Sequence, residues 1–451
     1  GIDIGHISGH DATHYDLALA AMPSANGLVL RATYDQALYE TQEIKRIVGY
    51  LTAMAQSLVT DPADEIQLGE LRWFNETERY QVVKGFNQTE VSQKENTLDS
   101  NQSDSLSTSI SNTLPELFEH QVAYTPDTTA LVFGYETLTY RELDQRANQL
   151  ARHLITLGIG PEQIVALALP RSIEMVVALL AVLKSGAAYL PLDPDYPSER
   201  LAFMLSDSRS SLLITVGNII GEAALGAVQI QHADSKEIKT LDLDDVCVQA
   251  ILANCDHTPV TQAERIYPLT LQNLAYLIYT SGSTGQPKGA GNTHQGTSNL
   301  VDALIRAHGH RPTAKVLQFA SFAFDASFSE LMPALCSGAT LYLLHDASVQ
   351  TDPNALGRFI AEHKITLATL PPVLLPEIPH SDLASLQTLV VAGEACSPAL
   401  VKLYAEHCNM LNGYGPTEAS VCVTIAGPLD ADIDTTSLVP IGRPIQNTQI
   451  Y

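Results

Sequence analysis

From residue 113 onward the chain alternates short continuous apolar runs with longer segments whose apolar residues recur at helical spacing. Few folds accept that order. Leu143, Ala147, Leu150 and Leu154 share one helix face, opened by the Thr139/Glu142 spacing of a capping box and closed near Gly158. Residues 164–169 read as a buried strand, 173–183 as a buried helix and 189–192 as the next strand. Strands that are apolar throughout must be covered on both faces. The predicted class is therefore α/β, with mostly parallel, helix-covered sheets. Residues 217–262 are poorly patterned and read as a variable surface insertion.

Upstream, residues 28–34 read as a strand. Ile44, Ile47, Val48, Leu51 and Ala55 mark a helix that Asp61-Pro62 ends. Residues 91–112 are dominated by Ser, Asn, Gln, Thr and Asp, a composition that cannot bury enough surface to fold alone. Three zones follow: 1–90, a polar linker at 91–112, and 113–451. Both ends read as cut, because the chain starts at Gly1 without Met and stops after Ile450-Tyr451 in an apolar stretch. With Lys plus Arg at 25, Asp plus Glu at 50 and a net charge of −25, the chain lacks the basic footprint that nucleic acid or an anionic membrane needs. The longest apolar run, 175–183, is too short to span a bilayer, and no signal peptide is expected. Cys247, Cys255, Cys336, Cys396, Cys408 and Cys422 form no CxxC pair, which fits reduced thiols in a cytoplasmic protein.

The stretch Tyr279-Thr280-Ser281-Gly282-Ser283-Thr284-Gly285-Gln286-Pro287-Lys288-Gly289 follows an apolar run at 274–278. Glycines allow close backbone approach to phosphate oxygens, N–H groups and hydroxyls donate to them, and Lys288 supplies charge. A surface turn would have a similar composition. The order is not that of a Walker loop, since Lys288 lies between Pro287 and Gly289, and Ser281 stands where a hydrolase elbow needs Gly. His294 stands where a dinucleotide fingerprint starting at Gly289 needs its third Gly.

These residues resemble the phosphate loop of adenylate-forming enzymes, specifically the adenylation domains of nonribosomal peptide synthetases. Four further stretches resemble that family's motifs in order: residues 138–143, 183–194, Phe324-Asp325-Ala326-Ser327, and Asn412-Gly413-Tyr414-Gly415-Pro416-Thr417-Glu418. Ala290-Gly291 depart from it, standing where larger apolar residues are usual, with little consequence expected. The first zone resembles the C-terminal part of a condensation domain, through residues 15–19, Tyr34-Asp35 and 71–87, without that domain's His-His catalytic motif. The resemblance makes 113–451 a truncated adenylation core, preceded by a small α/β condensation remnant.

The resemblance implies that an amino-acid carboxylate attacks the α-phosphate of ATP, giving aminoacyl-AMP for a carrier thiol. Such chemistry rests on positioning and charge neutralisation. Thr280, Ser281, Gly282, Ser283, Thr284, Gly285 and Lys288 would hold the β- and γ-phosphates. Gly393, Glu394, Ala395, Asn412, Gly413, Tyr414 and Gly415 would surround adenine, Thr417 would meet the α-phosphate, and Glu418 would bind Mg²⁺. Thr280, Lys288, Thr417 and Glu418 would be the catalytic set. Asp325 would pair with the substrate ammonium. Ala326, Ser329, Thr369, Val390, Ala392, Gly413, Val421 and Cys422 would line the side-chain pocket. Small and apolar residues with two hydroxyls suit an aromatic amino acid such as tyrosine, although Ser329 and Thr369 could instead bond locally to backbone. The ribose aspartate, the C-terminal lobe and the phosphopantetheine carrier are expected downstream, so this fragment alone would catalyse poorly. An acyl- or aryl-CoA ligase would not need Asp325, and a non-catalytic scaffold would not need an intact phosphate loop.

Overall fold

The computed structural model describes residues 15–25, 27–60, 76–90, 112–217, 219, 238–281, 286–434 and 436–451. The expected linker lies outside the described residues except for Asn112, as do Gly282, Ser283, Thr284 and Gly285 of the phosphate loop. The chain divides into two compact units, residues 1–88 with 449–451, and residues 89–448.

In the first unit, β1 (Leu17–Ser24) and β2 (Gly27–Tyr34) form an antiparallel hairpin. The helix Thr41–Thr60 follows, carrying the spaced apolar residues, and the expected stop at Asp61-Pro62 lies outside the described residues. A short helix, Glu76–Tyr80, runs into a π-turn at Gln81–Gly85. Just beyond it the Asn87 amide holds the backbone of Ile450. Its Nδ2 donates to Ile450 O and its Oδ1 accepts from Ile450 N, both at 2.8 Å.

The second unit opens with the helix Leu114–Tyr124, then the antiparallel pair β3 (Thr129–Phe133) and β4 (Glu136–Thr139). The predicted capping box starts the helix Tyr140–Thr156: Thr139 N donates to Glu142 at 2.8 Å, and Glu142 N to Thr139 Oγ1 at 3.2 Å. Six strands follow: β5 (Ile164–Ala168), β6 (Ala188–Pro191), β7 (Leu212–Thr215), β8 (Lys239–Asp242), β9 (Leu274–Thr280) and β10 (Lys288–Thr293). Among the described residues they form one sheet in the order β10-β9-β6-β5-β7-β8, parallel except for the β9/β10 hairpin. Then come β11 (Lys315–Gln318), β12 (Thr340–Leu343), β13 (Leu367–Leu370), β14 (Thr388–Ala392), β15 (Asn409–Tyr414), β16 (Thr424–Ala426) and β17 (Arg443–Pro444). They join β3 and β4 in a sheet ordered β17-β16-β15-β14-β13-β11-β12-β3-β4, parallel from β3 through β15. This is the predicted fold class.

Alternation along each strand explains the layering. Val165 and Leu167 of β5, with Val316 of β11, face a shared core filled by helices Tyr140–Thr156, Ile173–Ser185, His294–His308 and Ala326–Cys336. Ala166 and Ala168 face the other way, onto the helix Ser198–Asp207. Leu317 turns toward a third cluster with Leu356 and Ile360 of helix Pro353–His363. The inner strands of both sheets are thus buried on both faces, the state that continuous apolar strands require.

Helix Ile173–Ser185 starts on Ser172, whose hydroxyl accepts from Met175 N at 3.2 Å. It ends at Gly186 with φ +94, where a Cβ would also meet Pro161 at 2.9 Å. Within it Lys184 is a fully buried charge, held by Asp144 at 2.9 Å and by Glu119. The segment expected as a surface insertion contains structure. β8 extends the six-stranded sheet and the helix Val246–Asn254 follows it. That helix is apolar all round yet leaves Val246 and Ile251 exposed, so no periodic stripe announced it.

Candidate active site

The site residues gather at the carboxyl ends of parallel strands, where open α/β sheets carry ligands. The connection after β11 leads to Asp325, that after β14 carries Gly393, Glu394 and Ala395, and that after β15 carries Gly415, Thr417 and Glu418.

On the six-stranded sheet, Thr280 pairs with Lys288 across the β9/β10 hairpin, so the arms of the glycine loop lie side by side. Thr280 Oγ1 donates to Lys288 O at 3.4 Å, and Ser281 and Lys288 are exposed. The departure at Ala290-Gly291 has a packing reason. A Cβ at Gly291 would lie 3.1 Å from the Leu274 side chain, so a larger residue would press on it.

Asp325 occupies the N-cap position of helix Ala326–Cys336, but its side chain makes no capping hydrogen bond. It is half-buried. Burial pushes its carboxyl above the ordinary range, and the Glu418 charge adds to this. The Thr417 hydroxyl and the N–H groups of Ala326 and Asp325 pull the other way. The Asp325 charge also adds to the burial that raises the Tyr189 and Tyr276 hydroxyls. Phe322, three residues upstream, stacks on Tyr189 at 5.9 Å between ring centroids. Four residues into the helix, buried Glu330 accepts from Phe319 N and Ala320 N at 3.1 Å, and so shapes the connection that delivers Asp325. A cavity of 350 Å³ opens beside this connection, lined in part by Arg171, Asp193, Ser321 and Phe322.

Gly413 pairs with Ala392 between β15 and β14, and Thr369 with Val390 between β13 and β14. A Cβ at Gly413 would stand 3.6 Å from Cys422 Sγ, 3.8 Å from Val390 Cγ1 and 3.9 Å from Ala392 Cβ, so four predicted pocket residues converge. The Ser329 hydroxyl donates to Ala326 O at 2.7 Å, the local bond weighed as an alternative to a ligand contact. Asn412 is buried and its Nδ2 donates to Pro440 O at 2.9 Å, which commits that group to the fold. Tyr414 is half-exposed at the end of β15, and Gly393, with φ +86, has open space around it.

Thr417 and Glu418 lie in a 3-10 turn, Thr417–Ala419, and Glu418 is exposed. The chain folds back so tightly here that a Cβ at Gly415 would come within 2.6 Å of Val421 O. Ser420 and Val421 both take positive φ, +61 and +67, which is rare for a β-branched residue. Among the described residues no cluster of three His, Cys, Asp or Glu side chains could hold a metal. Mg²⁺ needs no such cluster, because it keeps waters and takes one or two carboxylates with phosphate oxygens. Glu418 fits that requirement. Asn292, which sequence reasoning passed over, contacts this turn from β10.

The profile of the AMP-binding enzyme family matches residues 118–451. The chain is 36% identical over 446 residues to tyrocidine synthase 2 of Brevibacillus parabrevis, covering 98% of this chain and 11% of that protein. It is 42% identical over 339 residues to novobiocin biosynthesis protein H of Streptomyces niveus, covering 75% of this chain and 54% of that one. Among solved structures, the Klebsiella oxytoca NpsA N-terminal subdomain in complex with 3-hydroxyanthranilyl-AMSN aligns with a TM-score of 0.61 at 27% identity, over 74% of this chain and 80% of that one. The nonribosomal peptide synthetase FmoA3 aligns with a TM-score of 0.74 at 22% identity, over 96% of this chain and 43% of that one, a likeness of fold.

The chain belongs to the AMP-binding enzyme family. Within it, the chain's relatives include nonribosomal peptide synthetases, of which it spans only a small part. All six cysteines are free, and no described helix is long and apolar enough to cross a membrane.

Proposed function

We propose that this chain activates an amino acid with ATP, forming aminoacyl-AMP and pyrophosphate, as the adenylation unit of a peptide synthetase. The observation that carries the reading is that Asp325, residues 393–395 and the Thr417–Glu418 turn lie on the connections after β11, β14 and β15, with the Thr417 hydroxyl and the Glu418 charge both acting on the Asp325 carboxyl. A carboxylate for the substrate ammonium then lies beside the groups that would meet the α-phosphate and Mg²⁺, which is what attack by the neighbouring carboxylate needs. Lys288, Thr280 and the loop between them would neutralise the leaving pyrophosphate. Tyr414 and residues 393–395 would flank adenine.

The preferred substrate is an aromatic amino acid such as tyrosine. Gly413, Ala392 and Ala326 leave depth, Val390, Val421 and Cys422 give apolar walls, and Thr369 offers a hydroxyl. Residues 1–90 would be the end of a condensation domain, 91–112 a linker and 113–451 the adenylation core. A carrier bearing phosphopantetheine would take the aminoacyl group in the cytoplasm. ATP–pyrophosphate exchange by the intact protein with tyrosine, phenylalanine, leucine and arginine tests this. No exchange with any amino acid removes the adenylation reading. Leucine as the best substrate removes the aromatic assignment alone.

A further inference from the structure

We propose that Asn292 is a positioning residue for the adenylation reaction, fixing the turn that carries Thr417 and Glu418 to the strand that leaves the phosphate loop. The inference rests on the adenylation reading and adds to it a residue that the sequence did not single out.

Asn292 is 4% exposed and lies in β10, four residues after Lys288. Its Nδ2 donates to Thr417 O at 3.0 Å, and its Oδ1 accepts from Ser420 Oγ at 2.7 Å. A backbone carbonyl can only accept, so the Thr417 bond fixes which end of the amide is nitrogen, and the Ser420 hydroxyl satisfies the other end. One side chain thus holds the first residue of the turn and the residue just after it. A valine there would leave the Thr417 carbonyl and the Ser420 hydroxyl without partners, and an aspartate would set negative charge against the carbonyl.

The turn needs holding. Ser420 and Val421 both lie in the left-handed region, which persists only where surroundings over-determine it. Helix His294–His308 leaves room for the arrangement, since a Cβ at Gly296 would come within 2.9 Å of Ser420 Oγ. The Thr417 hydroxyl and the Glu418 charge of this turn both act on the Asp325 carboxyl. Asn292 therefore links the two phosphate-facing segments, Lys288 on one sheet and Thr417–Glu418 on the other.

The test is steady-state ATP–pyrophosphate exchange by the intact protein carrying Asn292→Ala, Asn292→Asp or Ser420→Ala. Both Asn292 variants are expected to raise KM for ATP about tenfold, and S420A, which removes one of the two bonds, about threefold. A residue that served only folding would lower the melting temperature and the active fraction while leaving KM for ATP unchanged. That outcome in the folded variants overturns the proposal. Should N292A fail to fold, the near-isosteric N292D carries the same test. Wild-type protein without exchange for any amino acid overturns the adenylation reading and this inference together. Wild-type exchange with unaltered variants overturns this inference alone.

Discussion

Lys184 Nζ lies 2.9 Å from an oxygen of Asp144, with the lysine side chain fully buried and the aspartate side chain 8% exposed. Glu119 is the second partner, so one cation joins helices Leu114–Tyr124, Tyr140–Thr156 and Ile173–Ser185. Deleting it leaves the buried Asp144 carboxylate and the part-buried Glu119 without their cation. Lys184→Ala is expected to lower unfolding stability by about 3–5 kcal/mol, read as a shift in the urea midpoint. Lys184→Met with Asp144→Leu and Glu119→Leu should recover much of that loss.

His308 and His310 stack at 5.8 Å between ring centroids, and both are buried. His308 Nδ1 and both nitrogens of His310 lack a hydrogen-bond partner among the described residues. Burial lowers His308 from 6.5 to about 4, while burial and then the neighbouring His308 charge push His310 well down. A depressed folded pKa contributes stability above the unfolded value, and that stability is lost as pH falls. Melting temperature should therefore drop between about pH 6.5 and 4. His310→Leu should make the drop shallower, measured as the difference between wild type and variant across that window.

Asp325→Ala is expected to erase the preference for an amino acid over the corresponding deaminated acid, a loss of about 2–4 kcal/mol for a half-exposed ion contact. Exchange assays with the amino acid and competition by the deaminated acid give the ratio. An unchanged ratio would make Asp325 structural.

Lys288 is exposed at the start of β10, so Lys288→Ala should leave the melting temperature unaltered. Exchange should slow about tenfold or more, the scale on which a charge aimed at a phosphate acts.

Gly415→Ala is expected to disrupt the turn after β15, because its Cβ would meet backbone atoms of three residues at 2.6–2.8 Å. Reduced ATP binding by calorimetry, with the far-UV circular dichroism retained, is the expected result.

Local signals were legible in the sequence. The Thr139/Glu142 box and the apolar run of residues 173–183 act over a few residues, and the elements fall where those signals put them. Long-range pairing was not legible. The partners of Asn292 are 125 and 128 residues away, and Lys184 reads as a surface charge until Glu119 and Asp144 fold against it. Ser329 shows a subtler limit: its hydroxyl suggested a ligand contact, but the helix geometry around it supplies the Ala326 carbonyl first.

Gly413 stands at ordinary contact distance from Cys422, Val390 and Ala392, with no positive φ and no backbone in the way. A methyl added at this position would meet three side chains at ordinary contact distance and, under the proposed function, would narrow the side-chain pocket while leaving the strand ladder intact. On that proposal a lineage could shift from bulky toward more compact substrates by one glycine-to-alanine step at a single site, with little penalty in folding.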